Sequence, residues 1–477
     1  MNYDVVVVGG GPSGIQAALS ARIAYPDRTI ALVRREEIAL QIGALSHVLG
    51  SLGSLGESIF PDRFLTQRDI ELIVGQVEGC QDSQLRLHDG RKVSYHKLIL
   101  ALGGRPEPLA VPGSDLPGVI EFTRDYDCLK RLGEALVSVR SVMLVGGGRT
   151  GVEITAELTR SGKEVTLVES KAHLLSGLVD PEFGQVIEDE LIRIGATVIT
   201  GYGVRAFAGR QSVLGADLAD GRWVTADLVI LAPPFRPATQ LAEAMGLRVD
   251  PANGVIVDEY LRTSAPGIHA VGECAAARSF FATERQRTTL MSEAMAQARL
   301  AGSNLFTINV AKSYSGSLGS FSVKAGELVL GVTGLTELKA ASLGLQCMVG
   351  LAETTDRHPP GISGANKVMV KLLFDRCSHH LVGAQVVGGE STGECVNMLA
   401  VMVQKKMTDM EIDTLQLGTH PLLTPSPLGY GVIAATVDAV RNWTPTERGL
   451  LVRPIAAASA ATATPRKGRS DSAARSK

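Results

Sequence analysis

Short apolar runs alternate with helix-forming stretches through the first half of the chain. Residues 3–8, 29–33 and 97–102 are rich in valine, isoleucine and leucine and read as buried parallel strands. A second series follows, with strands at 141–145, 164–169, 197–200 and 228–232 and a polar–apolar helix over 181–194. Breakers close these runs. Gly103, Gly104 and Pro106 halt the run ending at Leu102, and Pro233 and Pro234 halt the one ending at Ala232. Strands alternating with helices predict two doubly wound α/β units. From about Ser313 the texture changes. Residues 321–323, 348–351 and 368–374 predict strands of an antiparallel sheet, and 396–406 an amphipathic helix. The tail over 451–477 turns to Ala, Ser, Thr and basic residues; it cannot bury a core, and disorder is expected there.

Composition narrows the class without naming a chemistry. The 477 residues leave room for two to four domains, and 45% apolar with 20% charged residues is ordinary for a globular protein. A net charge of -2 offers no general attraction to nucleic acid or to an anionic membrane. No apolar run approaches the roughly 20 residues that span a bilayer. The start, Met1-Asn2-Tyr3-Asp4, lacks a basic n-region, so no signal peptide is read and a cytoplasmic location is expected. The six cysteines are scattered, with no C-x-x-C pair and no zinc spacing, so no metal is expected.

The chemistry lies where two of the strands end. After residues 3–8 come Gly9, Gly11 and Gly14, with Pro12 and Ser13 between them. After residues 141–145 come Gly146, Gly148 and Gly151, with Arg149 and Thr150 between them. Each set is a G-x-G-x-x-G between a strand and a helix. The first glycine makes the tight turn and the second lets backbone approach a pyrophosphate. The third packs helix on strand, with the helix N-terminus facing the phosphates. Two such sites imply two dinucleotides on one chain, and electron transfer between them is the natural use.

Further segments fall in a recognisable order. Residues 100–106 hold Ala101 and Gly103 in Leu-Ala-Leu-Gly-Gly-Arg-Pro. Residues 263–273 read Thr-Ser-Ala-Pro-Gly-Ile-His-Ala-Val-Gly-Glu, ending in Gly272 and Glu273, and residues 418–421 read Gly-Thr-His-Pro. In this order the chain resembles the FAD-dependent pyridine nucleotide-disulfide oxidoreductases, nearest the branch of NADH oxidases and coenzyme A-disulfide reductases. The resemblance implies an α/β fold with two Rossmann-like dinucleotide-binding domains and a C-terminal α+β dimerisation domain. It implies a split FAD domain at 1–112 and 246–312, an NAD(P)H domain at 113–245 and a dimerisation domain at 313–450. By the same resemblance Glu273 inherits a contact to the ribitol of FAD. Glu153 lies near the nicotinamide, where it would hold the carboxamide. His420 would reach across a dimer toward the partner's flavin.

Glu169, at the end of the second strand of the second unit, suits the two hydroxyls of a ribose and repels a 2′-phosphate, favouring NADH over NADPH. In the first unit the equivalent acid is missing or shifted. Glu36 is offered as its substitute, and Arg34 or Arg35 for packing on the adenine.

The resemblance also exposes a departure. The family branch carries a redox cysteine shortly after the second strand, where this chain has Gly43, and no cysteine occurs before Cys80. Thiolate attack on a disulfide needs that sulfur. Ser46 and His47 replace a Pro-Tyr pair; His47 reads either as a proton donor near the flavin or as a hydrogen-bonded spacer. The expectation is an FAD-dependent NADH oxidoreductase without a cysteine relay, an electron-transfer subunit serving an iron-sulfur protein, as a homodimer or in a larger redox complex. The alternatives are an autonomous NADH oxidase or diaphorase using dioxygen or a quinone, and an NADH-sensing flavoprotein.

Overall fold

Val5, Val6 and Val7 are wholly buried, as β-branched residues are in a strand covered on both faces. Their strand, Asn2–Val8, runs parallel between Ile30–Arg34 and Lys92–Leu100. The structure, a computed structural model, describes residues 1–309 and 313–443. Ile70–Val74 extends this sheet on one side, and the antiparallel strands Gln84–Leu87 and Val77–Gln81 on the other. Ile268–Ala270, from far later in the chain, pairs in parallel with Lys92–Leu100. Helix α1 (Pro12–Ala24) follows the first glycine turn. The helix Met291–Ser303 lies so close to it that a Cβ on Gly302 would stand 2.5 Å from the carbonyl of Ala17.

The second sheet is wholly parallel. Its order is Thr197–Ile199, Glu164–Val168, Ser141–Val145, Leu228–Leu231 and Val119–Glu121. Helix α2 (Arg149–Arg160) follows the second glycine turn, and α3 (Pro181–Arg193) covers the sheet through buried Phe183, Ile187 and Leu191. Both units are Rossmann-like, and the fold is α/β with a C-terminal α+β unit. That unit is a five-stranded antiparallel sheet ordered Phe321–Ala325, Leu328–Gly334, Leu381–Gly388, Lys367–Asp375 and Cys347–Thr355. Helices Thr392–Gln404 and Gly431–Trp443 belong to it. Val323, Leu330, Val332 and Val387 of this sheet share one core with the second unit.

Some bounds differ from those read in the sequence. The strand read at 97–102 runs Lys92–Leu100, with Ala101 and Leu102 outside the ladder on the way to Gly103, whose φ of +68° bends the chain. The helix read at 396–406 starts at Thr392 and stops at Gln404; Lys406, with φ +54°, has left the helical region. The tail over 451–477 lies outside the described residues. Among the described residues no helix is long and apolar enough to cross a membrane.

Candidate active site

Both glycine turns are built by close backbone contact. A Cβ on Gly9 (φ +118°) would lie 2.0 Å from the carbonyl oxygen of Ala101, and one on Gly14 1.9 Å from that of Gly9. At the second turn a Cβ on Gly146 (φ +114°) would meet Ala232 O at 2.7 Å, and one on Gly151 would meet Gly146 O at 1.8 Å. These four glycines hold the turns shut. The middle glycines are different. A Cβ on Gly11 or Gly148 would meet nothing within 4 Å among the described residues. Each is the N-cap of its helix, and no side chain caps either helix. Each turn is thus an open cradle lined by the free N–H groups of a helix N-terminus, which fits a pyrophosphate.

Around the first cradle the structure gathers several of the residues read from the sequence. Ala101 packs on Gly9 and Gly14. Gly272 (φ +73°) lies against Ser13, whose Oγ would stand 2.6 Å from a Cβ there, and the Gly272 amide donates to buried Gln297 Oε1 at 2.9 Å. Glu273 follows at once, but its carboxylate accepts from Arg124 Nη1 at 2.7 Å, and the Arg124 guanidinium rests 3.9 Å over the Phe235 ring.

The residues after the second strands diverge. Glu169 accepts from the amide of Gly147 at 2.6 Å and from that of Lys171 at 2.7 Å, which holds its carboxylate at the mouth of the second cradle. Its counterpart beside the first cradle is Arg34, not Glu36. Arg34 is buried and spans Asp62 with two hydrogen bonds of 2.6 and 2.8 Å. It also donates to the carbonyls of Glu36 and Glu37. Of the two arginines offered for an adenine face, Arg35 is exposed and pairs with Glu36, while Arg34 is committed to the protein itself.

Between the cradles lies a set of ionisable groups. Glu153, one turn into α2, accepts from Ser46 Oγ at 2.7 Å. Burial raises its carboxyl above the usual range; Ser46, His47 and Arg149 oppose that. Arg149 donates to Thr289 O at 3.2 Å and stands 5.3 Å over the Phe321 ring. Burial lowers its guanidinium, against the nearby carboxylates Glu153, Glu273 and Glu293. Glu293, in the first turn of α4 (Met291–Ser303), accepts from the amide of Gly319 at 3.0 Å, and burial pushes it up to about 7. Thr150 is half-buried at the start of α2. His47 does not meet Glu153 directly; its Nδ1 pairs with Glu157 Oε1 at 2.7 Å.

Gly43 sits in the 3-10 turn Ile42–Ala44, and the nearest group to a Cβ there is the methyl of Met291, at 3.4 Å. Cys274 is wholly buried next to Glu273, and burial pushes its thiol up to about 11, far from a reactive thiolate. Cys80 lies against Tyr95 Oη at 3.2 Å. His420 is exposed, its Nδ1 accepting from the amide of Leu422; among the described residues no hydrogen bond or ion pair joins it to the α2 cluster. One acidic trio, Asp180, Glu182 and Glu337, has metal-ligand spacing, but the Lys371 ammonium already stands against all three.

Sequence reasoning missed Arg124, Asp62, Glu157 and Glu293. None sits in a motif, and Arg124, Asp62 and Glu293 are brought in by loops or helices remote in the chain. Only Glu157 left a signal: it follows Glu153 by one helical turn on the same face of α2.

Comparison with known proteins agrees with this geometry. Residues 3–298 match the family model described as pyridine nucleotide-disulphide oxidoreductase, and residues 321–427 match the dimerisation domain of the same family. An NADH oxidase of Methanocaldococcus jannaschii is 28% identical over 432 residues, covering 87% of this chain and 94% of that protein. The 5,5'-dehydrodivanillate O-demethylase ferredoxin reductase subunit of a Sphingobium species is 34% identical over 318 residues, covering 63% of this chain and 74% of that protein. Among solved structures, the water-forming NADH oxidase from Lactobacillus brevis bound to NADH superposes with a TM-score of 0.84. It is 22% identical and covers 93% of this chain and 98% of that one, a likeness of fold.

Proposed function

The chain belongs to the pyridine nucleotide-disulphide oxidoreductases, as an FAD-dependent enzyme that uses NAD(H), and we propose that it passes electrons from NADH to an iron-sulfur protein without a cysteine relay. The observation that carries this reading is the sulfur-free turn at Gly43, where a thiol would have to stand. FAD held in the first cradle would supply two-electron acceptance of a hydride from NADH and one-electron release to the acceptor. The residues supply placement. The cradle at Gly9, Gly11, Pro12, Ser13 and Gly14 holds the FAD pyrophosphate, with Ala101, Gly103, Gly272 and Glu273 along its length. The cradle at Gly146, Gly148, Arg149, Thr150 and Gly151 holds that of NADH, and Glu169 takes the ribose. Glu153 holds the nicotinamide carboxamide, and orientation of this kind lowers the barrier. We also divide the chain at 1–112 with 246–312, 113–245 and 313–450; the strand Ile268–Ala270 in the first sheet supports the split.

The ferredoxin reductase subunit of Sphingobium, the most identical of the relatives described above, supports the choice of acceptor. An oxidase acting on dioxygen is the second reading, favoured by the near full-length match to an NADH oxidase. Anaerobic titration with dithionite tests the missing relay. Two electrons per chain should bleach the flavin fully, and alkylation of thiols should leave NADH-to-dye activity intact. Uptake of four electrons, or loss of turnover on alkylation without unfolding, overturns it. Rapid turnover with a ferredoxin and slow turnover with dioxygen separate the two acceptors.

A further inference from the structure

Two pairs of short strands carry charge of one sign. Gly104–Pro106 pairs antiparallel with Phe235–Pro237, and Arg105 stands directly opposite Arg236. In the second pair, Ala275–Arg278 with Arg285–Arg287, Arg278 stands directly opposite Arg285. Cβ atoms so placed lie about 4.5–5.5 Å apart, where like charges weaken the pairing. The four strands hold Arg105, Arg236, Arg278, Arg285 and Arg287 and no acidic residue, on a chain whose net charge is -2. Residues two apart on a strand share a face, so Arg287 lies on the face of Arg278 and Arg285. Its Nη1 donates to Phe235 O at 2.8 Å, which fastens the two pairs of strands together. Arg105, Arg236, Arg278 and Arg285 are exposed. Among the described residues Arg236 pairs with Glu107, Arg285 donates to Val257 O, and the side chains of Arg105 and Arg278 have no hydrogen bond or ion pair. The carboxylates flanking these strands in the chain are Glu107, Glu273, which pairs with Arg124, and exposed Glu284.

We propose that this arginine face docks an acidic surface of the acceptor protein, beside the Glu273 end of the first cradle. The proposal rests on the reading of the chain as a reductase of an iron-sulfur protein. Like charges directly opposed across a ladder cost stability, and here they occur twice, with Arg105, Arg278 and Arg285 lacking a carboxylate partner among the described residues. An anionic partner answers those charges, and a guanidinium fork takes a carboxylate with two parallel hydrogen bonds. The face adjoins the candidate site. A Cβ on Gly104 would meet Glu273 Cδ at 2.7 Å and Arg236 O at 2.9 Å, so the strand Gly104–Pro106 touches both Glu273 and the facing arginine strand. The chain as a whole repels an acidic protein slightly, and attraction must come from a local field, which reaches about 8–10 Å at ordinary ionic strength. The chemistry favours a folded acidic protein over a single-stranded nucleic acid. Base stacking needs free aromatic faces, and the ring in these strands, Phe235, lies under the Arg124 guanidinium at 3.9 Å.

The probe is an acidic [2Fe–2S] ferredoxin, added oxidised to the FAD-loaded protein and then reduced with NADH. One NADH reduces two of them and leaves NAD+ and one proton. The variant combines Arg105→Gln, Arg278→Gln and Arg285→Gln. None of the three is placed on FAD or NADH, so bleaching of the flavin by NADH in stopped flow should stay as in the native protein. Calorimetric affinity for the ferredoxin, and its rate of reduction at limiting concentration, should fall at least about tenfold at low ionic strength. Added salt should weaken native binding steeply and the variant's far less. Lysine at the same three positions keeps the charge and should restore most of the binding, which separates lost charge from a disturbed strand. Native protein that fails to bind the ferredoxin, or binds it as the glutamine variant does, overturns the docking face. So does capture of duplex DNA or of anionic phospholipid vesicles through these arginines in place of the ferredoxin. A ferredoxin that binds through the arginines but takes no electrons from the bleached flavin leaves the face standing and overturns the iron-sulfur reading instead.

Discussion

At the first glycine turn the amide of Gly9 donates to Val33 O at 2.8 Å; at the second, the amide of Gly146 donates to Val168 O at 2.9 Å. The two turns superimpose in hydrogen bonding, and the next residues, Arg34 and Glu169, therefore occupy equivalent places. A Cβ on Gly10 would press on the Arg34 side chain at 2.7 Å, and one on Gly147 on the Glu169 side chain at 2.9 Å. From this shared position the two units part. Glu169 turns its carboxylate to the cradle mouth, where a ribose is expected. Arg34 turns inward to Asp62 and the carbonyls of Glu36 and Glu37, and braces the chain that leads to Gly43. One backbone design thus presents a carboxylate at the cradle mouth, proposed to take the ribose, in one unit and a structural arginine in the other.

The largest effects should come from the open cradles. Gly11→Val has nothing to clash with in the fold itself, so the protein should fold but lose FAD, with affinity down by about a hundredfold. Gly148→Val should keep the yellow colour and lose reduction by NADH. Absorbance of the purified proteins and stopped-flow bleaching read both. A Gly148→Val protein that is colourless would show that the two cradles are not independent.

Glu169→Ala should weaken NADH by about tenfold to a hundredfold, in line with lost hydrogen bonds to a charged group, and narrow the preference over NADPH. The opposite is expected of Arg34→Met. It should lower stability by about 1–3 kcal/mol in denaturant melts, since Asp62 is half-exposed and relaxes into water, and leave the nucleotide preference alone. A change in preference there would erase the distinction drawn between the two positions.

The smallest effect concerns the boundary between the units. Glu293 binds its proton more tightly when folded, at about 7 against an ordinary 4.5, because burial disfavours its charge. The native state then holds more protons than the unfolded one between these values, so stability should fall as pH rises from about 4.5 to 7. Glu293→Gln should remove that slope and gain about 1–3 kcal/mol at pH 8. Melts across this range that keep the same slope in the variant would assign it to another group.

Much of the fold was legible because it is written locally. Buried parallel strands need β-branched runs, glycine turns need glycine where φ is positive or backbone touches backbone, and both leave marks in adjacent residues. The cradles at Gly11 and Gly148 followed from such marks, and the lack of a cysteine in the turn at Gly43 is read directly from the chain. What local sequence could not carry was the choice of partners among charged side chains. Glu36 read as the missing acid because it is the nearest carboxylate in the chain, yet register gives the place to Arg34, whose charge is answered by Asp62 from another loop. Glu273 read as a ligand for a sugar and is met by Arg124. Glu157 and Glu293 carried no motif; helical spacing set Glu157 beside Glu153, but only packing buried both residues and brought Glu293 close to Arg149. Sequence by itself determined the backbone that can hold two dinucleotides, because steric limits on φ and hydrophobic burial act residue by residue. Tertiary structure alone decided which charges meet, because Coulomb energy and desolvation depend on distances and burial that no single segment contains.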